Sequence, residues 1–372
     1  MDFNFSDDQE QLRDAVTRWV DKAYDFDRRR SICKDERGFS AKAYAEMAEL
    51  GLCGLMISGE YDGMDMGPVE AMVAMEAMGS GIVMEPLSHT LMCSSIVQAY
   101  GDASVKSAWL PRIADGSVLM VLAYQERGGR YRLDHCAAEA KSSGDGYVLT
   151  GVKHVVPAGQ FAQAFLVNAQ LNGQMALFVV DAQAAGIQRS SYITQDGSAA
   201  ADIDFQGAAA TLVTAHGRDA LEHAVDVGIA LASAYAVGVM DKTFALTAEY
   251  LNTRKQFGVA IGSFQALRHR LADMKMQLEL ARSMSYYATL KVNAPAEERR
   301  MAMSRAKYQL GQSMRFVGQQ SVQMHGGIGV TDEYIASHYF KTLTQLEMVF
   351  GDSNHHLGEV AKRMQDTAGV FV

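Results

Sequence analysis

The stretch Tyr250-Leu251-Asn252-Thr253-Arg254-Lys255-Gln256-Phe257-Gly258-Val259-Ala260-Ile261-Gly262-Ser263-Phe264-Gln265 decides how the chain is read. It joins the end of one helix to the start of the next, with Gly258 and Gly262 giving the backbone freedom for a tight turn. Beside such a turn, the Arg254 guanidinium can fork onto a pyrophosphate and Phe257 can lie against a ring. The same residues suit a plain helix C-terminus, where a cation complements the dipole. Downstream, Phe264, Leu267, Leu271, Met274, Leu278 and Ala281 recur at three- and four-residue steps, which predicts one apolar face of a long core helix. Upstream, Val227 to Met240 is apolar, broken by Gly228, Ser233 and Gly238. That run is too short to span a bilayer and predicts a buried helix.

A second segment, Gln323-Met324-His325-Gly326-Gly327-Ile328-Gly329-Val330, pairs two glycines that expose backbone N–H groups and leave room for a ligand. An ordinary helix C-cap has the same look. Its GGxG texture follows a helical stretch where a dinucleotide fingerprint would follow a strand, so a Rossmann reading is weak.

Around these segments the chain divides into three regions. Residues 1–118 read as helical, opening on Ser6 as N-cap with Gln9 as its capping-box partner. Residues 119–215 carry short β-rich runs such as Tyr147-Val148-Leu149-Thr150 and Leu177-Phe178-Val179-Val180 between Gly, Asp and Ser turns, and predict an antiparallel β domain. Residues 216–372 are helical again. The order suggests a helix bundle interrupted by a β-sandwich or barrel.

With 48% apolar residues and 21% charged, the 372-residue chain is globular in composition. A net charge of -9 argues against a phosphate-tracking nucleic-acid binder, which depends on clustered Lys and Arg. The four cysteines form no CxxC pair, so neither a zinc knuckle nor a disulfide scaffold is indicated. His355 and His356 are adjacent and point apart on a helix, a poor metal pair. The start, Met1-Asp2-Phe3-Asn4-Phe5, is polar and acidic where a signal peptide would be basic and then apolar, and the expectation is a cytoplasmic protein. The 22 methionines, scattered through helical segments, read as core filler.

Together, Arg254-Lys255-Gln256-Phe257-Gly258, Phe264-Gln265, Leu271-Ala272-Asp273-Met274 and Gln323-Met324-His325-Gly326-Gly327 resemble the FAD signatures of acyl-CoA dehydrogenases. Leu110-Pro111-Arg112-Ile113-Ala114-Asp115-Gly116-Ser117 resembles that family's entry into its β domain. The resemblance implies an N-terminal helical domain, a central β-barrel or sandwich and a C-terminal four-helix bundle. It implies FAD as cofactor, with Arg254 and Gln265 at the pyrophosphate and adjoining groups and Gln256, Phe257 and Gly258 in the same motif. Gln323, Gly326 and Gly327 would approach the ADP portion from a neighbouring subunit, so an oligomer is implied, usually a dimer of dimers. The family's reaction is α,β-dehydrogenation of an acyl-CoA thioester, with an electron-transfer flavoprotein as acceptor.

The pattern breaks at the base. The family's usual glutamate precedes a glycine, and a gap-free count from Gln323 reaches Phe350, followed by Gly351. The alternative home on the preceding long helix is Gly228, with Asp226 nearby on another face. Asp352 is the preferred substitute, and a cap on the last helix is an equal reading of it. The family's flavin-facing threonines are absent from Gln125-Glu126-Arg127-Gly128-Gly129-Arg130 and from Val155-Val156-Pro157-Ala158-Gly159. Arg127 and Arg130, with Arg132, stand where the family lines its CoA channel and could bind CoA phosphates or an acyl-tail carboxylate; a solvated loop is the plainer alternative. A Phe-Gly-Asp turn followed by histidines resembles the small subunit of two-gene enzymes such as pimeloyl-CoA dehydrogenase, acting on dicarboxylyl or sterol-like chains. Three readings follow: an acyl-CoA dehydrogenase, an oxidase or flavin monooxygenase of the same fold, or a non-catalytic subunit lending FAD-binding surface to a partner.

Overall fold

The computed structural model describes residues 5–144 and 146–367. Six helices come first: α1 (Asp7–Ala23), α2 (Phe26–Asp35), α3 (Ala41–Glu49), α4 (Pro68–Ser80), α5 (Leu87–Tyr100) and α6 (Ala103–Ala114). Seven strands follow: β1 (Met120–Ala123), β2 (Glu139–Ser143), β3 (Gly146–Pro157), β4 (Ala164–Leu171), β5 (Gln174–Asp181), β6 (Ile187–Ile193) and β7 (Ala199–Thr214). Then come α7 (Gly217–Thr253), the short strands β8 (Lys255–Gln256) and β9 (Val259–Ala260), and α8 (Gln265–Lys291), α9 (Ala296–His325), α10 (Ile335–Met348) and α11 (Ser353–Thr367). The helix–β–helix order is the one the sequence predicts. The chain forms two compact units: one takes the chain up to Phe26, Met72–Val83 and the chain from Ile229 onward; the other takes Asp27–Ala71 and Met84–Gly228.

In the helical unit, α1 opens on the expected capping box, with Ser6 Oγ accepting from the Gln9 N–H (3.3 Å) and Gln9 Oε1 accepting from the Ser6 N–H (2.9 Å). Helix α9 packs against α8, α10 and α11. The α8 stripe behaves as a core face only from Met274 onward: Met274, Leu278 and Ala281 are fully buried, whereas Phe264 is 40% exposed. The glycine interruption at Gly238 is a packing device. A Cβ there would lie 1.9 Å from the Glu76 carbonyl oxygen, and one at Gly79 would lie 2.1 Å from that of Tyr235, so α4 and α7 touch backbone to backbone. Helix α7 runs 37 residues, longer than its apolar stretch alone suggested, and is long and apolar enough to cross a membrane by length and composition. Its most apolar window is 83% buried inside the protein, which makes it a core helix.

In the other unit the sheet runs β1-β4-β2-β3-β7-β5, with β6 on β7 and a further β4–β5 pairing. Most pairs are antiparallel, as the turn-rich sequence predicts, but β1 and β2 each lie parallel to β4. Phe165, Phe178 and Phe205 are fully buried in its core. That core also encloses a charge: the Lys153 ammonium, wholly buried, donates to Glu126 Oε1 (2.6 Å) and Asn168 Oδ1 (2.8 Å). Burial pushes the Glu126 carboxyl up, but Lys153 and the backbone N–H groups of Ala137 and Ala138 outweigh it and hold the group below its ordinary value.

Removing one partner of this pair strands the other charge, so Glu126→Leu is expected to cost about 3–5 kcal/mol of unfolding free energy in urea denaturation. The double change Glu126→Leu with Lys153→Met should recover part of that loss, since no charge is then stranded but the Ala138 N–H and Asn168 Oδ1 lose their partners.

Candidate cofactor site

The segment that opened the sequence reading folds as a hairpin between two helices. Lys255 pairs with Ala260 and Gln256 with Val259, and the turn between them places Phe257 at φ 52° and Gly258 at φ 81°. Two successive positive φ values define the I′ geometry that suits strand twist, and a glycine meets it without cost at the second position. Phe257 meets it at a cost, and its ring is 91% exposed. The hairpin is anchored through Arg254, whose N–H donates to the Tyr250 carbonyl (2.9 Å) and whose carbonyl accepts from Ile261 (2.9 Å). Its guanidinium has no protein partner among the described residues. Arg268 Nε donates to the Gly262 carbonyl (2.7 Å), so a second guanidinium lies at the same turn.

The second segment meets the first within the same unit. Helix α9 ends at His325, and Gly326 follows at φ 62°, ψ -139°, a conformation open essentially to glycine alone. The rings of Tyr250 and His325 lie 4.5 Å apart, and Thr247 Oγ1 and Ser321 Oγ are hydrogen-bonded at 2.9 Å. Arg270 Nη1 donates to Gln320 Oε1 (2.8 Å), tying the first turns of α8 to the last of α9. A Cβ built on Gly326 or Gly327 meets nothing within 4 Å, so the space beside both Cα atoms is open, while the Gly326 N–H itself donates to the Val322 carbonyl. All eight residues assigned to the cofactor from sequence (Arg254, Gln256, Phe257, Gly258, Gln265, Gln323, Gly326 and Gly327) are exposed in this one unit. The Arg254 guanidinium, unpaired among the described residues and in the same unit as an open glycine turn, suits the pyrophosphate and sugar of a dinucleotide such as FAD.

The turn between α10 and α11 is held at every residue. Lys307, buried on α9, donates from Nζ to the carbonyls of Leu346 (2.8 Å), Glu347 (2.8 Å) and Gly351 (3.0 Å). Burial pulls its pKa down to about 7, with the Glu347 and Asp352 carboxylates opposing. Phe350 stands at φ 61° with its side chain 7% exposed, and its carbonyl accepts from His356 Nε2 (3.0 Å). Burial and the neighbouring Lys307 drive the His356 pKa down to about 3, so its ring is neutral. Asp352 Oδ1 accepts from the His355 N–H (2.8 Å), which caps α11. Glu347 Oε1 takes the N–H and hydroxyl of Ser353 (3.0 and 2.8 Å) and lies 3.3 Å from Arg315. Sequence reasoning missed Lys307, because a lysine inside a helical run carries no sign of what its ammonium will meet.

In the β unit, Arg127 and Arg130 are exposed in a turn. The Arg130 guanidinium lies over the Tyr131 ring at 5.7 Å, while Arg132 pairs with Asp134 (3.1 Å). Val155, at φ 52°, sits at an irregularity in the β3–β7 register. Asp202 Oδ1 there accepts the Val155 N–H (3.1 Å), and Oδ2 holds His154 Nδ1 (2.7 Å). Asp226 is fully buried.

Residues 6–117 match the N-terminal domain of acyl-CoA dehydrogenases and residues 215–365 the C-terminal domain. Together these take in well over half of the chain, which belongs to the acyl-CoA dehydrogenase family. Among curated relatives, acyl-CoA dehydrogenase FadE27 of Mycobacterium tuberculosis is 24% identical over 376 residues, covering 99% of this chain and 100% of its own. FadE12 of the same species is 29% identical over 357 residues, 88% of each chain. Among solved structures, a variant of the Tcur3481-Tcur3483 steroid ACAD superposes with a TM-score of 0.90 at 26% identity over 97% of this chain and 98% of that one. The ChsE4-ChsE5 complex from Mycobacterium tuberculosis gives 0.89 at 24% over 99% and 100%.

The two glycines are expected to respond differently to alanine. Gly326→Ala forces a side chain into a glycine conformation and should cost about 1–3 kcal/mol of stability. Gly327→Ala points a methyl into open space and should stay within about 0.5 kcal/mol of the parent, both read by urea denaturation of the protein without flavin.

Proposed function

We propose that this chain binds FAD through residues 250–265 and 323–327 and works as one subunit of a hetero-oligomeric acyl-CoA dehydrogenase, in a dimer of dimers, with the partner supplying the base. The observation that carries this reading is the turn between α10 and α11. Where the family places its glutamate stands Phe350, and the adjacent carboxylates are engaged, Asp352 as a helix cap and Glu347 on Ser353. The two structural relatives described above, one a steroid ACAD, are named for pairs of different chains, which supports a non-identical partner and a bulky acyl group.

FAD, when bound, supplies the acceptor for the hydride leaving the β-carbon. The chain's own residues then have three tasks. Arg254 meets the pyrophosphate charge, Gly326 and Gly327 leave room for close approach of the cofactor, and Gln265 and Gln323 add neutral hydrogen bonds. Arg127 and Arg130 are the proposed contacts for CoA phosphates. Electrons leave to an electron-transfer flavoprotein.

A second reading keeps Asp352 as base, because the cap engages only one of its oxygens, Oδ1. Proton abstraction by a positioned carboxylate contributes on the order of a hundredfold or more.

Arg254→Ala should fold and yet weaken FAD binding roughly ten- to hundredfold, since charge-assisted bonds contribute about 1.5–3 kcal/mol each. Gly327→Ala should do likewise, its methyl filling the space the cofactor needs. Flavin absorbance after gel filtration reads both, and full retention in either variant would remove the assignment.

The base is tested by flavin bleaching with a panel of acyl-CoAs, using the chain purified alone and the chain co-purified from its host with its partner. Bleaching only in the complex, unaltered by Asp352→Asn, is the expected result. Bleaching by the isolated chain, lost a hundredfold in Asp352→Asn with flavin retained, would establish the second reading instead.

A further inference from the structure

Within the glycine segment stands a histidine whose outer nitrogen has no partner among the described residues. His325 Nδ1 donates to the Ser321 carbonyl (2.8 Å), one turn back on α9, which leaves Nε2 as an acceptor. Nε2 is buried and has no partner among the described residues. A contact with ligand through that atom is therefore not its use, since the atom is sealed from outside. The ring, in contrast, is fully employed. It lies between Tyr250, at 4.5 Å and 35° between planes, and Tyr334, at 5.3 Å and 52°. Tyr250 belongs to the last turns of α7 and Tyr334 stands just ahead of α10, so one imidazole packs against both flanks of the glycine turn. Burial lowers its pKa, which keeps the ring neutral and suited to stacking. On the other side of the turn, a Cβ on Gly329 would come within 2.9 Å of the His325 Cβ, so the chain folds back closely over this residue.

We infer that His325 is a positioning residue for the Gly326–Gly327 turn, acting through its ring and not through its outer nitrogen. It wedges α9 against Tyr250 and Tyr334 and so fixes the register between the hairpin segment and the glycine segment. The consequence for cofactor binding rests on the FAD reading above; the fixing of the turn does not.

Two substitutions separate ring from nitrogen. His325→Phe keeps a flat ring of similar size and removes the unpartnered acceptor, whereas His325→Gln keeps polar groups and removes the ring. Amide exchange of the 323–334 peptide, followed by mass spectrometry without flavin, should quicken at least tenfold in His325→Gln and stay within twofold in His325→Phe. The β4–β5 peptide serves as an unaffected reference. Titration with FAD, on the full chain with its partner where one is needed, should follow the same order, with a tenfold weaker Kd only for His325→Gln. The opposite order, or equal behaviour of the two variants, overturns the inference. Should either variant fail to fold, Tyr334→Leu against Tyr334→Phe repeats the comparison from the other side of the ring, where the residue is only half-buried; unchanged exchange in Tyr334→Leu overturns it equally. If exchange follows the expected order and no form of the protein binds FAD, the cofactor reading fails while the positioning role stands.

Discussion

Helix ends leave backbone groups that no helix can pair internally, and this chain builds its functional surfaces where it meets that constraint. The last carbonyls of α10 go to the buried ammonium of Lys307, the first amides of α11 to Asp352, and the close of α9 to a glycine turn propped by His325. The end of α7 is taken over by a two-stranded hairpin through Arg254. Because two of these four solutions rest on α9, through Lys307 and His325, the position of that helix bears on both the glycine turn and the turn at Phe350.

How much of this was legible in sequence depended on whether a residue type names its own conformation. Gly258 and Gly326 announce turns because few other residues occupy positive φ, and the hairpin and the α9 terminus fall where those glycines stand. Phe257 and Phe350 sit in the same region without any such announcement. The α8 stripe showed its period but not its limit: periodicity identifies the face of a helix, while only the neighbours of that face decide that burial begins at Met274. The same is true of Gly238, read as an interruption of an apolar run, which is where α7 comes into backbone contact with α4. Parallel pairing of β1 and β2 with β4 lay beyond reach because strand direction depends on partners distant in sequence. The Lys153–Glu126 pair was hidden for the same reason, both residues looking like surface charges.

The proposed cofactor cradle and the turn at Phe350 make different demands on a sequence. A surface that a cofactor approaches closely needs permissive backbone and empty space, which the φ of 62° at Gly326 and the open space beside Gly326 and Gly327 supply. Acid–base chemistry needs one carboxylate at one place. The two demands can therefore be separated, and the polar contacts around Phe350 give the backbone of the turn structural reasons of its own to persist: two helix ends would be left unsatisfied without it.

That persistence also bears on Asp352. To reach a ligand by rotation, its side chain would have to release the His355 N–H, and an N-cap of this kind contributes about 0.5–2 kcal/mol. The sum is small beside the barrier that general base catalysis lowers, so energy alone does not disqualify Asp352. Placement is the harder constraint. The residue follows the glycine, one carbon shorter than a glutamate preceding it, and Lys307 and His356 hold the carbonyls of that glycine and of Phe350 in place. A backbone shift able to compensate for the displaced side chain would have to break both contacts together and leave the buried Lys307 ammonium with the Leu346 and Glu347 carbonyls alone. The same lock that preserves the shape of the turn thus fixes where the carboxylate beside it stands, so that Asp352 could serve as a base only by moving its own side chain or by using the oxygen its cap leaves unengaged.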